Sequence, residues 1–585
     1  MKKFFKQYFF LLDRQAKKQL PMLILIFLSS SLLDVIGIGL IGVFLALISN
    51  PAHYLQYMAH IPFSKELTTK GLGFIYIIGV IIILAFVFKA FVGCYIQKKT
   101  SSFSYQVALR LKKRLMKAYQ YAPYVFHLKQ NSAYLLGRFN QVDAYTSGIL
   151  LPSLSLISNL LIMVFVLGFL LALHPLATLG LTAIFYFLIE LNNKVLKPKT
   201  QLLGKVVASA SGEIIKNIHH GLGGLKEIRV LGTEDYFFKK IEAVADGYAD
   251  AMATNAAYQL IPRYVLESAL AIFVIALCLA SLAMGTPASD TVAFVGIFVA
   301  AGVRLLPTMT QLTAGLNQIR FSSPNMEKIA EELQELTDLE INKIPEACIE
   351  KMPFTQIVLQ DIHYRYLHAK HEAINGVTLT IHKGQSIGFI GTSGAGKSTL
   401  VNLLLGLLTP NAGQILVEGQ PIDNMRQWLN NFAYIPQHVF LLDDTLKQNI
   451  ALGIDDDAID EPKMKKAIQM AQLSSVVEDL PLGMETVIGE NGFRLSGGQR
   501  QRVALARAFY HERDIIVMDE ATAALDNETE KEVIAAIRQL HGIKTLIVIA
   551  HRLTTVEYCD VIYRMEKGKI VHEGSFQEVV KDIRK

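Results

Sequence analysis

GTSGAGKST, Gly391–Thr399, fits the pattern G-x-x-x-x-G-K-S and lies between the apolar run QSIGFI and the apolar, helix-compatible run LVNLLLGLL. Strand, glycine-rich turn and helix in that order make a phosphate cradle. Gly391, Gly394 and Gly396 let the backbone wrap closely around an anion, and the helix start supplies N–H groups and a positive dipole end. Lys397 is spaced to reach β- and γ-phosphates and Ser398 to hold Mg²⁺, with Thr392, Ser393, Ala395 and Thr399 completing the loop. A purely structural glycine turn is the alternative reading, and the strand–turn–helix context argues against it.

Working outward, IIVMDE is a buried-type strand ending in two acids. Asp519 is placed to hold Mg²⁺ through water and Glu520 to orient or deprotonate an attacking water. Paired acids at a strand end are often surface caps, but a phosphate loop upstream in the same domain favours the catalytic reading. Upstream, IVLQDIHYRY and AINGVTLTIHKGQSIGFIG alternate apolar and polar residues as strands do, and KTLIVIAHR supplies a further strand, interleaved with helical segments. This predicts an α/β P-loop NTPase domain over 355–585.

Between the two nucleotide elements stands LSGGQRQRVALARA, Leu495–Ala508, whose Leu495-Ser496-Gly497-Gly498-Gln499 run resembles the signature motif of ABC transporters. Other elements match in order: Tyr366 as the aromatic that stacks on adenine, Gln437 in YIPQHVFLLDDT as the Q-loop residue, TVIGENG as the exporter-type contact loop, Asp526 in ALD, and His551 in IAHR as the switch histidine. Ala523 departs from the Ser of many relatives, without loss to the core chemistry. The resemblance spans essentially the whole chain and implies an ATPase that takes ATP and Mg²⁺, with Gln437 also touching the metal. It further implies that Ser496, Gly497, Gly498 and Gln499 meet the nucleotide held by a second copy's P-loop. One chain holds one of each half-site, so a dimer with two composite sites is expected. With both motif sets intact, a homodimer is favoured over a partnered heterodimer.

The first 320 residues read differently. Over the 585-residue chain, 51% of residues are hydrophobic and only 18% charged, more apolar than a soluble protein usually keeps in solution. Six stretches, approximately 20–49, 72–97, 146–173, 175–193, 262–284 and 290–315, each reach the roughly 20 residues that cross a hydrocarbon core of about 30 Å. The polar, helix-compatible stretches 98–140 and 194–260 predict helices running on into the cytoplasm. This gives an all-α polytopic membrane domain over 1–320, which resembles the six-helix membrane half of ABC exporters, and a linker over 321–354. Lys and Arg crowd the leader and the two long connections, whereas the connections at His174-Pro175 and Gly285–Asp290 carry neither, which places both termini in the cytoplasm. In this setting the net charge of +6 reports orientation, not nucleic-acid binding. Cys94, Cys278, Cys348 and Cys559 form no metal or disulfide pattern and read as free thiols.

Substrate signals are of two kinds. GLGGLKEIRVLGTEDYF, Gly221–Phe237, with PRYVLE, Pro262–Glu267, resembles the subgroup that includes bacterial lipid-linked oligosaccharide flippases, which implies a polyprenyl-pyrophosphate glycan and a bacterial inner membrane. Separately, Lys89, Arg263 and Arg304 fall within or at the edge of predicted spans, with Arg304 about 21 Å from the outer end of its helix. Intramembrane cations mark a pathway or a partner. An inward-opening basic cavity suits a pyrophosphate headgroup; snorkelling of Lys89 and Arg263, or pairing with Asp34, Glu190 or Glu267, is the plainer alternative. Segment 51–70 reads as an interfacial amphipathic helix or a packed loop. Export of a peptide, another lipid or a drug stays open as a second function, and an ATP-gated channel or regulator as a third.

Overall fold

The computed structural model describes residues 2–49, 72–130, 132–285, 288–338, 350–367, 369–521, 527–550 and 552–583. The chain divides into two compact units, Met1–Ala122 with Phe126–Asn342, and Pro123–Val125 with Lys343–Lys585. Segment 51–70, Cys348, Ala523, Asp526 and His551 lie outside the described residues. Cys94, Cys278 and Cys559 are free thiols.

The first unit is all helical: α1 (Lys2–Leu11), α2 (Arg14–Ser49), α3 (Leu72–Gln120), α4 (Tyr124–Lys129), α5 (Ser132–Tyr145), α6 (Leu151–Leu173), α7 (Pro175–Gly223), α8 (Leu225–Leu231), α9 (Glu234–Ala283) and α10 (Ala288–Asp338). Among the described residues, six helical stretches are long and apolar enough to cross a membrane. The 49 residues of α3 extend about 74 Å, more than twice the thickness of a hydrocarbon core. Phe88 and Phe91 on α3 and Ile275 and Leu279 on α9 are exposed, which suits lipid rather than water as their solvent.

Without a hydrophobic force between helices in lipid, packing rests on close approach and interhelical hydrogen bonds. Both centre on α10. Asn159 of α6 donates to Gln311 at 2.9 Å, Asn192 of α7 pairs with Asn317 at 3.3 Å, and Gln259 of α9 donates to Gln318. Further along, buried Glu332 accepts from Arg138 Nε and Tyr119 Oη, each at 2.5 Å, tying α10 to α5 and α3. A π-helical turn at Thr146–Leu150 joins α5 to α6, and a Cβ on its Gly148 would lie 1.9 Å from Ser322 Oγ. Gly204 of α7 is tighter against main chain, since a Cβ there would lie 2.0 Å from the Phe321 carbonyl oxygen. Backbone cannot swing aside as a side chain can. Gly204→Ala is therefore expected to cost about 1–3 kcal/mol by overpacking, read as a lower unfolding midpoint in detergent. An unchanged midpoint would mean that α7 and α10 part without cost.

The second unit is α/β. Strands β1 (Gln356–Tyr364), β2 (Ile374–His382), β3 (Ser386–Ile390), β4 (Ala412–Val417), β5 (Gln420–Pro421), β6 (Phe432–Ile435), β7 (Ile515–Asp519), β8 (Thr545–Ile549), β9 (Val561–Glu566) and β10 (Lys569–Gly574) form two sheets. One is antiparallel, in the order β2-β1-β4-β5; the other runs β10-β9-β3-β8-β7-β6. In the second, β3, β6, β7, β8 and β9 are parallel, and β3, β7 and β8 read as near-continuous apolar runs because both faces are covered. Trp428 is fully buried and donates its indole N–H to the Leu404 carbonyl at 2.9 Å, so its polar edge is satisfied inside the core. The architecture is the one the sequence predicts: six apolar helices followed by a P-loop NTPase unit.

Candidate functional site

Strand register gathers the nucleotide residues. Phe389 of β3 and Asp519 of β7 both pair with Ile549 of β8, and Ile435 of β6 pairs with Met518. The P-loop after β3, the acids at the end of β7 and Gln437 beyond β6 therefore emerge at one carboxyl edge, where open parallel sheets bind ligands. Gly391, Gly394 and Gly396 have φ of 148°, 81° and 104°, a region that side chains rarely adopt. A Cβ on Gly391 would lie 2.3 Å from the Met565 carbonyl oxygen, and one on Gly396 2.5 Å from that of Ala373. The loop is thus held open by glycine on two sides. It leads into α11 (Lys397–Leu404), whose ammonium donates to the carbonyls of Gly391 and Thr392 at 2.8 and 3.1 Å.

A pocket of about 630 Å³ is lined by Tyr366, Ala373, Ser393, Gly394, Ala395, Gly396, Lys397, Ser398, Thr399, Gln437 and Glu520. Tyr366 Oη lies 3.2 Å from Thr399 Oγ1, so the ring is fixed at the pocket's rim. Gln437 Nε2 donates to Glu520 Oε2 at 2.7 Å. Glu520 holds a left-handed φ of 53°, a strained conformation of the kind that clusters at functional sites. Burial holds the Lys397 ammonium below its ordinary pKa, with Glu520 and Asp519 pulling the other way. Burial lifts the Asp519 carboxyl above its usual range, against hydrogen bonds from Tyr434 and Ser398. A cradle with a cation, a hydroxyl and two acids fits a nucleoside triphosphate with a divalent cation.

Sequence reasoning passes over Tyr434, which donates to Asp519 Oδ2 at 3.3 Å, and Gln501, which reaches the Glu520 carbonyl at 3.5 Å. Tyr434 sits in the strand FAYI, one position from the residue paired with Met518, and that register is the signal that would have found it.

The signature lies elsewhere. Ser496 caps α12 (Gly497–Tyr510) in a capping box, accepting from Gln499 N at 3.2 Å while Gln499 Oε1 accepts from Ser496 N at 2.8 Å. The N3 amide is thereby used, while the first-turn amides of Gly497 and Gly498 have no partner within the helix. None of Leu495–Gln499 is among the residues lining the P-loop pocket.

In the membrane unit, Asp34 of α2 brings two of the three predicted cations together. Lys89 Nζ lies 2.6 Å from its Oδ1 and Arg304 Nη2 2.5 Å from its Oδ2. Arg263 is not part of this cluster: it pairs with Glu267 on its own helix at 2.8 Å and is largely exposed.

Residues 374–523 match the family model described as ABC transporter, and residues 21–296 the ABC transporter transmembrane region. The ATP-dependent lipid A-core flippase of Cupriavidus metallidurans is 33% identical over 497 residues, 82% of this chain and 81% of that protein. The chain belongs to the ABC transporter family. The flippase of the same description from Aromatoleum aromaticum is 30% identical over 465 residues, 78% of this chain and 75% of the relative. Among solved structures, a bacterial Atm1-family ABC exporter with ATP bound superposes with a TM-score of 0.80 over 98% of this chain and 97% of that one; at 20% identity it speaks for the fold. This ABC transporter is an exporter-type half-transporter, a multi-pass membrane protein that couples ATP hydrolysis to the export or flipping of its substrate.

Proposed function

We propose that two copies of this ABC transporter form a homodimer that flips a polyprenyl-pyrophosphate-linked glycan across a bacterial inner membrane, with both termini in the cytoplasm. In this reading residues 1–320 are the transmembrane domain, 321–354 the end of the long helix α10, which runs to Asp338, followed by the linker, and 355–585 the ATP-binding domain. The observation that carries the substrate class is the cation pair Lys89 and Arg304, which share a single carboxylate within the apolar spans and so keep a surplus positive charge. A diphosphate headgroup supplies the matching anion. The relatives are named for lipid A-core, and that lipid is the second reading. ATPase activity of the reconstituted protein against a panel of polyprenyl-pyrophosphate glycans, lipid A-core, peptides and drugs tests this; selective stimulation by the first is expected, and stimulation by peptides or drugs alone would overturn it.

At the nucleotide site, Tyr366 stacks on adenine, Gly391–Thr399 cradle the phosphates, and Lys397 turns from its own loop's carbonyls to the β- and γ-phosphates. Ser398, Asp519 and Gln437 are the residues that would hold Mg²⁺, which supplies charge neutralisation on the phosphate oxygens. Glu520 orients the attacking water and accepts its proton, and His551 is the switch residue. Ser496, Gly497, Gly498 and Gln499 close the site from the second copy.

A composite site has a direct test. Lys397→Ala and Ser496→Arg damage different halves, so each homodimer has two broken sites. A mixed dimer carries both lesions in one site and none in the other, and at most one trapped nucleotide per mixed dimer is expected. Full ATPase activity in either homodimeric variant would show that a chain works without its partner.

A further inference from the structure

Asp34 is an expensive residue in its place. It is 1% exposed on an apolar helix, while its partners Lys89 and Arg304 are 28% and 38% exposed. The carboxylate therefore lies behind the two cations, whose side chains keep the exposed surface of the cluster. Each carboxylate oxygen takes one cation, so the ammonium keeps two of its three donors and the guanidinium keeps the remaining Nη donors for a ligand, while Arg304 Nε is buried without a partner. Lys89 lies against α2 beside Gly37, where a Cβ would be in ordinary contact with Nζ at 3.5 Å, and the Phe86 ring supports the ammonium at 5.3 Å. Neighbouring Ser31 spends its hydroxyl on the Phe27 carbonyl and adds nothing to the charge.

Two bare cations in a span would attract any phosphate. The surrounding bilayer consists of phosphodiester lipids, each with one negative phosphate, in great excess over any lipid-linked substrate. With Asp34 behind the pair, a single negative charge feels about half the attraction that the two cations alone would exert, against the same cost of stripping its water. A diphosphate carries more charge and has oxygens for both cations at once. We propose that Asp34 sets a charge threshold at this site, keeping singly charged phosphodiester lipids off the cations that a diphosphate lipid binds. This rests on the reading of Lys89 and Arg304 as headgroup ligands. Selectivity here would come from weakening the wrong ligand rather than from a contact to the right one.

The test uses the full-length protein in vesicles of phosphatidylcholine, whose choline cancels its phosphate charge, with and without phosphatidylglycerol. Undecaprenyl diphosphate is the probe, and its half-stimulating concentration for ATPase is measured. In wild type that concentration should change little when phosphatidylglycerol is added. Asp34→Asn should lower it in phosphatidylcholine alone and raise it about tenfold or more once phosphatidylglycerol competes. Asp34→Glu, which keeps the charge, should behave as wild type. Equal phosphatidylglycerol dependence in wild type and Asp34→Asn would overturn the threshold and leave Asp34 as a counter-ion that only permits burial of the cations. If Asp34→Asn does not fold, Lys89→Gln and the double variant Asp34→Asn/Lys89→Gln differ by the same single charge; tighter probe binding in the double variant is expected, and equal binding overturns the proposal. The underlying reading fails separately, if Lys89→Gln and Arg304→Gln leave the wild-type response to undecaprenyl diphosphate in phosphatidylcholine unchanged.

Discussion

Glu520→Gln is expected to bind ATP and to lose nearly all turnover, by about 10²–10⁴-fold, the range that a positioned general base contributes. Binding rests on the loop from Gly391 to Thr399 and on Lys397, none of which the change touches. Gln437 donates to a Glu520 oxygen at 2.7 Å, and the amide oxygen of the variant can accept that same bond, so the geometry is kept while the basicity is removed. Dimers with trapped ATP should accumulate, measurable as retained nucleotide after rapid desalting. The strained φ of 53° at this position supplies a control. Glu520→Gly relieves the backbone strain yet removes the same base, so it should stabilise the domain without restoring turnover. Wild-type turnover in Glu520→Gln would take the role of base away from Glu520.

The parts of the molecule that were legible in its sequence are those whose physics is local. Gly391–Thr399 is strand end, turn and helix start within nine consecutive residues, and each glycine's role follows from that turn alone. The spans are legible because about 20 apolar residues in a row admit few other solvents. What sequence leaves dark is set by register and helix rotation. Asp34 and Glu267 could be named from the sequence as partners of these cations; that Lys89 and Arg304 both turn to Asp34, and neither to Glu190, is a fact of three packed helices. Lys89, Arg263 and Arg304 look alike as cations at span edges, yet Arg263 is spent on Glu267 four residues along its own helix. The amides Asn159, Asn192 and Gln259 are unremarkable one at a time and become a seam only along α10. The nucleotide site divides in the same way. The acids could be paired with the P-loop by their order in the chain, whereas Tyr434 on Asp519 depends on the parallel register of β6 with β7.

Neutralising Lys89, Arg263 and Arg304 together is expected to abolish flipping of a pyrophosphate-linked glycan. Lys89 and Arg304 can each give charge-assisted hydrogen bonds to a diphosphate beside Asp34, and Arg263, outside that cluster, is included as the remaining cation that the sequence points to. The ion pairs rank the single changes. Arg304→Gln and Lys89→Gln remove surplus charge beside Asp34 and should cost the most, while Arg263→Gln removes a charge that Glu267 already offsets and should cost the least. The triple variant strands Asp34 with neither partner, and a buried carboxylate left alone is strongly destabilising. A fourth change, Asp34→Asn, removes that penalty and keeps the comparison one of binding rather than folding. Flipping in proteoliposomes should be measured beside binding of an ATP analogue, which depends on the other unit's P-loop. Loss of flipping with the analogue still bound places the defect at the headgroup. Unchanged flipping in the fourfold variant would show that the glycan crosses without these cations and would remove Lys89 and Arg304 from the account of headgroup recognition.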